Sequence, residues 1–249
     1  MTREVGRLDP EMLRSAIQLM RSLATDRLST VDVAEHAGYS PWHFIRMFSA
    51  STGISPGLYL AALRVDAAKR LLLADSAPVI DVAASVGYDS LSSFTRRFRT
   101  MVGTSPGMFR ELADTVAAGS VTPFTLGDAR QSVVWVRPHI SVSLRPGHNV
   151  ALWIGWFPKP APIGLPTSGV LTTSHADVAV PLSPGNPWLL SFAVSAHAGA
   201  EDQLVPTRPL VARFPAPLVV PTTVDLHYRQ ATDVDLPLLS ALPALKRAP

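Results

Sequence analysis

Hydrophobic positions follow a helical period in the first part of the chain. Leu13, Ile17 and Met20 recur at steps of three or four residues, which predicts an amphipathic helix. Pro10 stands just inside the start of this pattern, and Asp9 before it is a suitable N-cap. The segment 55–74 is a second strong helix candidate.

The second part has a different pattern, with short β-type runs between prolines and glycines. Residues 116–249 hold 18 of the 23 prolines. The predicted strands are VVWV at 133–136, SVSL at 141–144, ALWI at 151–154, DVAV at 177–180, WLLSFAV at 188–194 and TTVDLHY at 222–228. Such runs predict a mostly-β sandwich or jelly-roll-like domain at 121–249. Residues 114–120 are the predicted linker, and 236–249 are expected to form a short helix or a loose tail.

Composition limits the class of protein without identifying it. The 249 residues are 47% hydrophobic, which supports one large or two smaller packed domains. The longest apolar run is too short to span a bilayer, and the start has no signal-peptide pattern, so we expect a cytoplasmic protein without a membrane partner. The absence of cysteine excludes disulfides, thiolate metal sites and a cysteine nucleophile. A net charge of +3 is too small to predict nucleic-acid binding, so that hypothesis depends on where the arginines lie.

Two segments of the first part repeat one another. Val31–Pro56 reads VDVAEHAGYSPWHFIRMFSASTGISP, and Ile80–Pro106 reads IDVAASVGYDSLSSFTRRFRTMVGTSP. The motifs DVA and GY match at an offset of 49 residues, and the motifs F-x-R-x-F and G-x-S-P match at an offset of 50. This number of matches indicates a duplicated unit.

Each copy has the pattern of a helix-turn-helix unit. In the first copy a short helix ends at Gly38, which permits a tight turn, and Ser40 is predicted to cap a second helix that starts at Pro41. Ser90 is the predicted cap in the second copy. Phenylalanines four residues apart share one face and are predicted to be buried: Phe44 with Phe48, and Phe94 with Phe98. Units of this type present their second helix to the major groove of DNA.

The helix predicted between the two copies sets their separation. Twenty residues at about 1.5 Å each span roughly 30 Å. Successive major grooves on one face of DNA lie about 34 Å apart. A monomer built this way can read an extended, asymmetric site.

These motifs resemble the DNA-binding domain of the AraC/XylS family of bacterial transcription regulators. The resemblance covers residues 10–112 and is carried by GY-x-S-x-S-x-F-x-R-x-FR at 87–99, G-x-SP-x-x-FR at 103–110, and Tyr59, Leu60 and Arg64 in the linking helix. It implies an all-α domain of seven helices at 1–113. The family usually places this domain last, whereas here it comes first.

The resemblance also implies roles for individual residues. The residues that would face bases in one groove are Trp42, Ile45 and Arg46, and those in the next groove are Leu91, Ser92, Thr95 and Arg96. The residues that would contact the DNA backbone are Ser40, Ser49, Ser90, Arg97 and Arg99. Residues 49–51 lack the Lys or Arg that many relatives carry, so the first unit should anchor phosphates more weakly. Leu91 is apolar and suits a thymine methyl group.

Plainer interpretations remain open for several of these residues. Arg46 and Arg96 would otherwise lie in surface salt bridges, and Trp42 would otherwise belong to the helix core. In the second part, most of the aromatic residues Trp135, Trp153, Trp156, Phe157 and Trp188 are expected in the core, with one or two lining a ligand pocket. The histidines 139, 148, 175, 197 and 227 have no metal-binding spacing, so no metal or cofactor is expected.

The sequence therefore predicts a sequence-specific regulator, an activator of transcription, rather than an enzyme. Its expected partners are double-stranded promoter DNA and RNA polymerase. The C-terminal domain would sense a small-molecule effector, dimerise or contact a partner. The expected location of the protein is the cytoplasm, in association with the nucleoid. The alternatives are a non-specific architectural DNA-binding protein and a DNA-targeted enzyme with its activity in the C-terminal domain.

Overall fold

Helices form the first part of the chain and strands form most of the second. The computed structural model describes residues 6–74, 76–117, 122–128, 130–140, 150–173, 176–195 and 199–242. The helices are α1 (Pro10–Leu23), α2 (Thr30–His36), α3 (Pro41–Thr52), α4 (Pro56–Ala74), α5 (Val79–Ser85), α6 (Leu91–Val102), α7 (Pro106–Ala117) and α8 (Ala200–Leu204). The strands are β1 (Phe124–Leu126), β2 (Val133–Ile140), β3 (Val150–Phe157), β4 (Gly169–Thr172), β5 (Val178–Pro181), β6 (Trp188–Ser195), β7 (Leu210–Arg213) and β8 (Thr223–Gln230).

The seven helices α1–α7 confirm the expected all-α domain. Asp9 caps α1 through its carboxylate, which accepts hydrogen bonds from the first-turn amides, and Pro10 occupies the first turn. The helix buries Ile17 and Met20 on one face, as the periodicity predicts. None of the helices in the described ranges is both long and apolar enough to cross a membrane.

The duplicated sequence folds into two units with the same local geometry. α2 and α3 form the first unit, and α5 and α6 form the second. Both turns contain a glycine with a positive φ, 72° at Gly38 and 79° at Gly87, where other residues are strained. The duplication extends to the core, because three aromatic rings pack beside each unit in tilted or edge-to-face contact, with centroids 5.5 to 5.7 Å apart. These trios are Phe44 and Phe48 with Tyr59 of α4, and Phe94 and Phe98 with Phe109 of α7.

Helix α4 belongs to the cores of both units. Leu60 and Leu63 pack into the first core, and Val65 and Leu72 pack into the second. Its 19 residues span about 28 Å at 1.5 Å per residue. A helix buried on several sides is a stiff connection, so α4 fixes the separation of the two units.

The strands form one eight-stranded sheet in the order β1-β4-β3-β6-β7-β8-β2-β5. Only the pairing of β2 with β8 is parallel among the described strand pairs. The sheet curls into a nearly closed barrel, since residues from seven of its strands share one inner core. At its two edges the Ser168 hydroxyl lies 2.6 Å from the Pro181 carbonyl oxygen of β5 and 3.1 Å from the Leu126 carbonyl oxygen of β1.

The mostly-β prediction is confirmed, with differences in detail. The predicted strand at 141–144 lies outside the described residues. β1, β4 and β7 have three or four residues each and escaped the sequence pattern, as did the short helix α8. Helix α7 continues to Ala117, so part of the predicted linker at 114–120 is helical.

The end of the chain is not a loose tail over its described part. Residues 231–242, here called the C-terminal strap, lie between the helices and the outer face of the sheet. Leu239 and Ala241 are buried in the second helical core, while Leu238 and Leu242 pack with Trp153 on the sheet. The loose-tail alternative for 236–249 was therefore wrong up to Leu242, because four buried apolar side chains hold this segment in place.

Candidate nucleic-acid interface

Helix α3 presents an aromatic and a basic side chain to solvent. The Trp42 side chain is 67% exposed, so it does not belong to the helix core. The Arg46 guanidinium carbon lies 4.4 Å from the centroid of the Trp42 ring. This cation–π contact, one helical turn apart, orients the guanidinium along the exposed face of the helix. Ile45 is exposed beside it.

Helix α6 carries the larger cluster of predicted site residues. One shallow surface groove is lined by Leu91, Ser92, Thr95, Arg96, Arg99 and Thr100. Phe94 and Phe98 on the opposite face are fully buried, which fixes the rotation of the helix. The structure thus brings the four predicted base-contacting residues of the second unit together on one surface.

The serines before the two helices behave differently. The Ser90 hydroxyl accepts a hydrogen bond from the Ser93 amide at 3.3 Å and caps α6 as predicted. Ser40 occupies the N-cap position of α3 but makes no side-chain capping bond, so that part of the prediction was wrong. Pro41 follows Ser40, and its missing N–H removes one amide that would otherwise need a partner. Ser40 and Ser90 are both exposed.

The first unit offers fewer groups for phosphate than the second. Ser49 is only half exposed. Ser51, close behind it, donates to the Met47 carbonyl oxygen and accepts from the Leu8 amide, both at 2.9 Å. Arg97 and Arg99 on α6 are both exposed. This asymmetry is in the direction expected from the sequence.

The arginines of the two helix faces carry unneutralised charge. Within the described ranges, no carboxylate lies in ion-pair distance of Arg46, Arg96, Arg97 or Arg99. The salt-bridge interpretation of Arg46 and Arg96 therefore has no support there. The Arg27–Asp89 pair, at 3.6 Å and almost fully exposed, lies before α6 and contributes little energy.

Two side chains of the same faces were missed in the sequence. Thr100 lines the α6 groove and lies four residues after Arg96, so helical spacing would have revealed it. His43 is exposed on α3 and contacts the Tyr39 ring edge-on, with centroids 5.4 Å apart. The position of His43 directly after Trp42 in the sequence could have indicated that it lies near the same surface.

Comparisons with known proteins place these helices in a family. Residues 33–112 match the family described as "Helix-turn-helix domain". The HTH-type transcriptional activator AarP of Providencia stuartii is 40% identical over 91 residues, which are 36% of this chain and 67% of AarP. The chain belongs to the AraC/XylS family of transcription regulators. The resemblance seen in the sequence is confirmed.

Other relatives of this AraC/XylS-family protein share the same region. The transcriptional regulator Rob of Salmonella typhimurium is 36% identical over 101 residues, 41% of this chain and 35% of Rob. The chain thus spans about a third of the length of Rob. Among solved structures, the C-terminal domain of AraT from Geobacillus stearothermophilus is 28% identical, covers 50% of this chain and 98% of that one, and has a TM-score of 0.39.

Proposed function

We propose that this AraC/XylS-family protein is a sequence-specific regulator of transcription that places α3 and α6 in successive major grooves of promoter DNA. The observation that carries the proposal is the repeated geometry: two equivalent units, each with an exposed basic helix face, on either side of one buried helix. Residues 1–113 would be the DNA-binding domain and residues 121–249 the regulatory one. The names of AarP and Rob, an activator and a regulator, support the same role.

Each exposed face has chemistry suited to base edges. An arginine offers two donors that match O6 and N7 of guanine, and one such pair discriminates by about 1–3 kcal/mol. Arg96 stands free at the centre of the α6 groove for this contact, with Ser92 and Thr95 beside it. Leu91 would pack on a thymine methyl group. In the first unit the Trp42 ring orients the Arg46 guanidinium toward the DNA, and Ile45 supplies an apolar contact.

The backbone contacts would come from the remaining predicted residues. Arg97 and Arg99 flank the α6 face and supply charge for phosphates, which positions the helix without reading sequence. Ser40, Ser49 and Ser90 would donate hydroxyl hydrogen bonds to phosphates. Because the first unit lacks cations at 49–51, the second unit would carry more of the salt-dependent affinity.

The test compares Arg96→Ala with a control on a selected DNA site and on a scrambled one. The control is Arg208→Ala, an exposed arginine of the β-rich part that lies on neither recognition helix. Arg96→Ala should lower the affinity for the selected site about tenfold or more and the affinity for the scrambled site much less. Arg208→Ala should lower neither affinity. Substituting 7-deazaguanine at the contacted base should reproduce the loss in the wild-type protein.

The same measurement separates the proposal from its main alternative. A non-specific architectural protein would bind both DNAs equally, whereas specific binding typically gains 10³–10⁷-fold. Equal losses of Arg96→Ala on both DNAs would make Arg96 a phosphate contact. Contact with RNA polymerase and response to an effector belong to the proposed regulatory role of residues 121–249.

A further inference from the structure

A cavity of about 400 Å³ lies between the DNA-binding helices and the outer face of the sheet. The helices contribute Leu13 and Ile17, and the sheet contributes Phe192 and Val211. The C-terminal strap closes one side with Leu236 and Leu238. The volume falls in the range of small-molecule sites, and the lining combines apolar side chains with a group of polar and charged ones.

The cavity contains one arginine whose charge is not neutralised. Arg229 lines it but is held by the Asp235 carboxylate through two hydrogen bonds of 2.7 and 2.6 Å. Arg213 also lines it, and no carboxylate of the described ranges lies within ion-pair distance of it. Among the described residues of the lining, Arg213 is therefore the one arginine without an ion pair.

A histidine of the neighbouring strand belongs to the same lining. β7, which ends at Arg213, pairs antiparallel with β8, which contains His227. His227 also lines the cavity and stacks on His139 of β2, with ring centroids 4.7 Å apart.

The hydroxyl groups of the lining are already used within the protein. Thr52 donates to the Phe48 carbonyl oxygen at 2.9 Å, and Tyr59 donates to the Val234 carbonyl oxygen at 3.2 Å. The Ser51 and Ser191 hydroxyls donate to carbonyl oxygens at 2.9 and 2.7 Å. A sugar or another polyol would need free partners for many hydroxyls. The chemistry favours a ligand with one anionic group and an apolar body.

The cavity is in contact with the end of the first recognition helix. Ser51 and Thr52 are the last residues of α3, and Pro160 from the β3–β4 loop lies beside them in the lining. A Cβ on Gly53 would lie 2.6 Å from the Pro160 side chain, so the loop touches the C-cap of α3. A ligand here would touch both the sheet and the helix that reads DNA.

The same loop touches the second recognition helix at the equivalent position. A Cβ on Gly103, the C-cap of α6, would lie 2.1 Å from Leu165 Cγ. The Gly164 amide also donates to the Met101 carbonyl oxygen at 2.7 Å. Gly53 and Gly103 match in the duplicated sequence, so one loop of the β-rich part supports both recognition helices at the same point.

We propose that the cavity binds a small carboxylic acid with an apolar body, its carboxylate on Arg213, and that occupancy alters DNA affinity through the β3–β4 loop. The proposed binding of the acid depends only on the cavity, whereas the effect on DNA affinity rests on the proposed function. Linkage requires the acid and the DNA to change each other's affinity by the same factor.

The binding test uses calorimetry on the full chain with hexanoate, octanoate, decanoate and benzoate, each beside the alcohol of the same skeleton. At least one acid should bind, and its alcohol should bind about tenfold more weakly or worse, because it cannot form the charged hydrogen bond. Arg213→Gln should weaken binding of the acid by a similar factor. The matched exposed control Arg208→Gln should leave this binding unchanged. Val211→Phe should weaken binding of both the acid and the alcohol, because the larger side chain fills part of the cavity.

Three results would overturn the binding proposal: no acid binds, the alcohols bind as well as the acids, or Arg213→Gln has no effect. The DNA arm measures affinity for a selected site with and without saturating amounts of the acid that binds best. We expect a change of at least about threefold that Arg213→Gln removes. Binding of the acid without any change in DNA affinity would refute the coupling. Failure of the unliganded chain to select any DNA would refute the proposed function, while the calorimetry would still decide whether the cavity is a site.

Discussion

Lys69 in the middle of α4 gives the structure a measurable dependence of stability on pH. Its side chain is completely buried, and its Nζ donates to the Leu238 carbonyl oxygen of the C-terminal strap at 2.6 Å. The Phe109 ring lies 5.7 Å away. Burial lowers the pKa of Lys69 from 10.5 to about 7, and the nearby Asp66 only partly opposes this. The charged form is therefore disfavoured in the folded protein.

The sign of the effect follows from proton counting. Between about pH 7 and pH 10.5 the unfolded chain holds the lysine proton and the folded chain does not, so stability rises with pH in this window. Below it both states are protonated and Lys69 adds no slope. One pKa unit is worth about 1.36 kcal/mol, so the free energy of unfolding should rise by about 2 kcal/mol between pH 7 and pH 9.

The assay is denaturant unfolding of the wild type and Lys69→Met from pH 5 to pH 9. Methionine keeps an unbranched side chain but cannot titrate, and its loss of the strap hydrogen bond is independent of pH. The difference between the two free energies of unfolding should be constant below about pH 6 and grow by about 2 kcal/mol from pH 7 to pH 9. Arg14→Gln, an exposed change on α1, should run parallel to the wild type. Parallel curves for Lys69→Met and the wild type would show that burial does not lower the pKa of Lys69.

Three further predictions follow from the helix ends and the exposed arginines. Ser90→Ala should lower the free energy of unfolding by about 1 kcal/mol because a capping bond is lost, whereas Ser40→Ala, which loses none, should change it by less than about 0.5 kcal/mol; chemical denaturation measures both, and equal losses would contradict the assignment. Gly103→Ala should destabilise by more than about 1 kcal/mol, because φ is 93° and Leu165 fills the space, and Leu165→Ala should restore only the steric part. Affinity for DNA should fall with salt, and Arg99→Ala should reduce the log–log slope by about 0.9; an unchanged slope would show that Arg99 contacts no phosphate.

The helical half follows closely from the sequence because its patterns are local. The 3.6-residue period, the glycine turns and the duplicated motifs each determine a few neighbouring residues, and the folded units repeat them down to the aromatic trios. The presence of an arginine in a motif was less informative about what that arginine contacts. Arg64 belongs to the same motifs as Arg96, yet it donates to the Ala24 and Leu28 carbonyl oxygens at 2.6 and 2.9 Å, where it secures the chain after α1.

The β-rich half shows where local patterns stop being informative. Its long strands were predicted, but the short strands β1, β4 and β7 form only because they pair with strands distant in sequence. The contact between halves was invisible for the same reason. Pro160 and Leu165 have no special pattern, and they matter only because the fold brings them onto Gly53 and Gly103. Most of the aromatic residues of the second part were expected in the core, and Trp153, Trp156 and Phe157 are indeed buried. None of the five named residues lines the cavity, whose aromatic side chains are Tyr59 and Phe192.

The spacing of the two recognition helices can be tested by changing the length of the DNA between their binding sequences. The selected site would be remade with five base pairs inserted between the sequences protected by α3 and α6, and the affinity of the full chain would be compared on both DNAs at one salt concentration. Half a turn of DNA carries one half-site to the opposite face, beyond the reach of units joined by a stiff α4. We expect a loss of affinity of at least about 100-fold, since all base contacts of one unit disappear. An unchanged affinity would show that α3 and α6 do not read neighbouring grooves together.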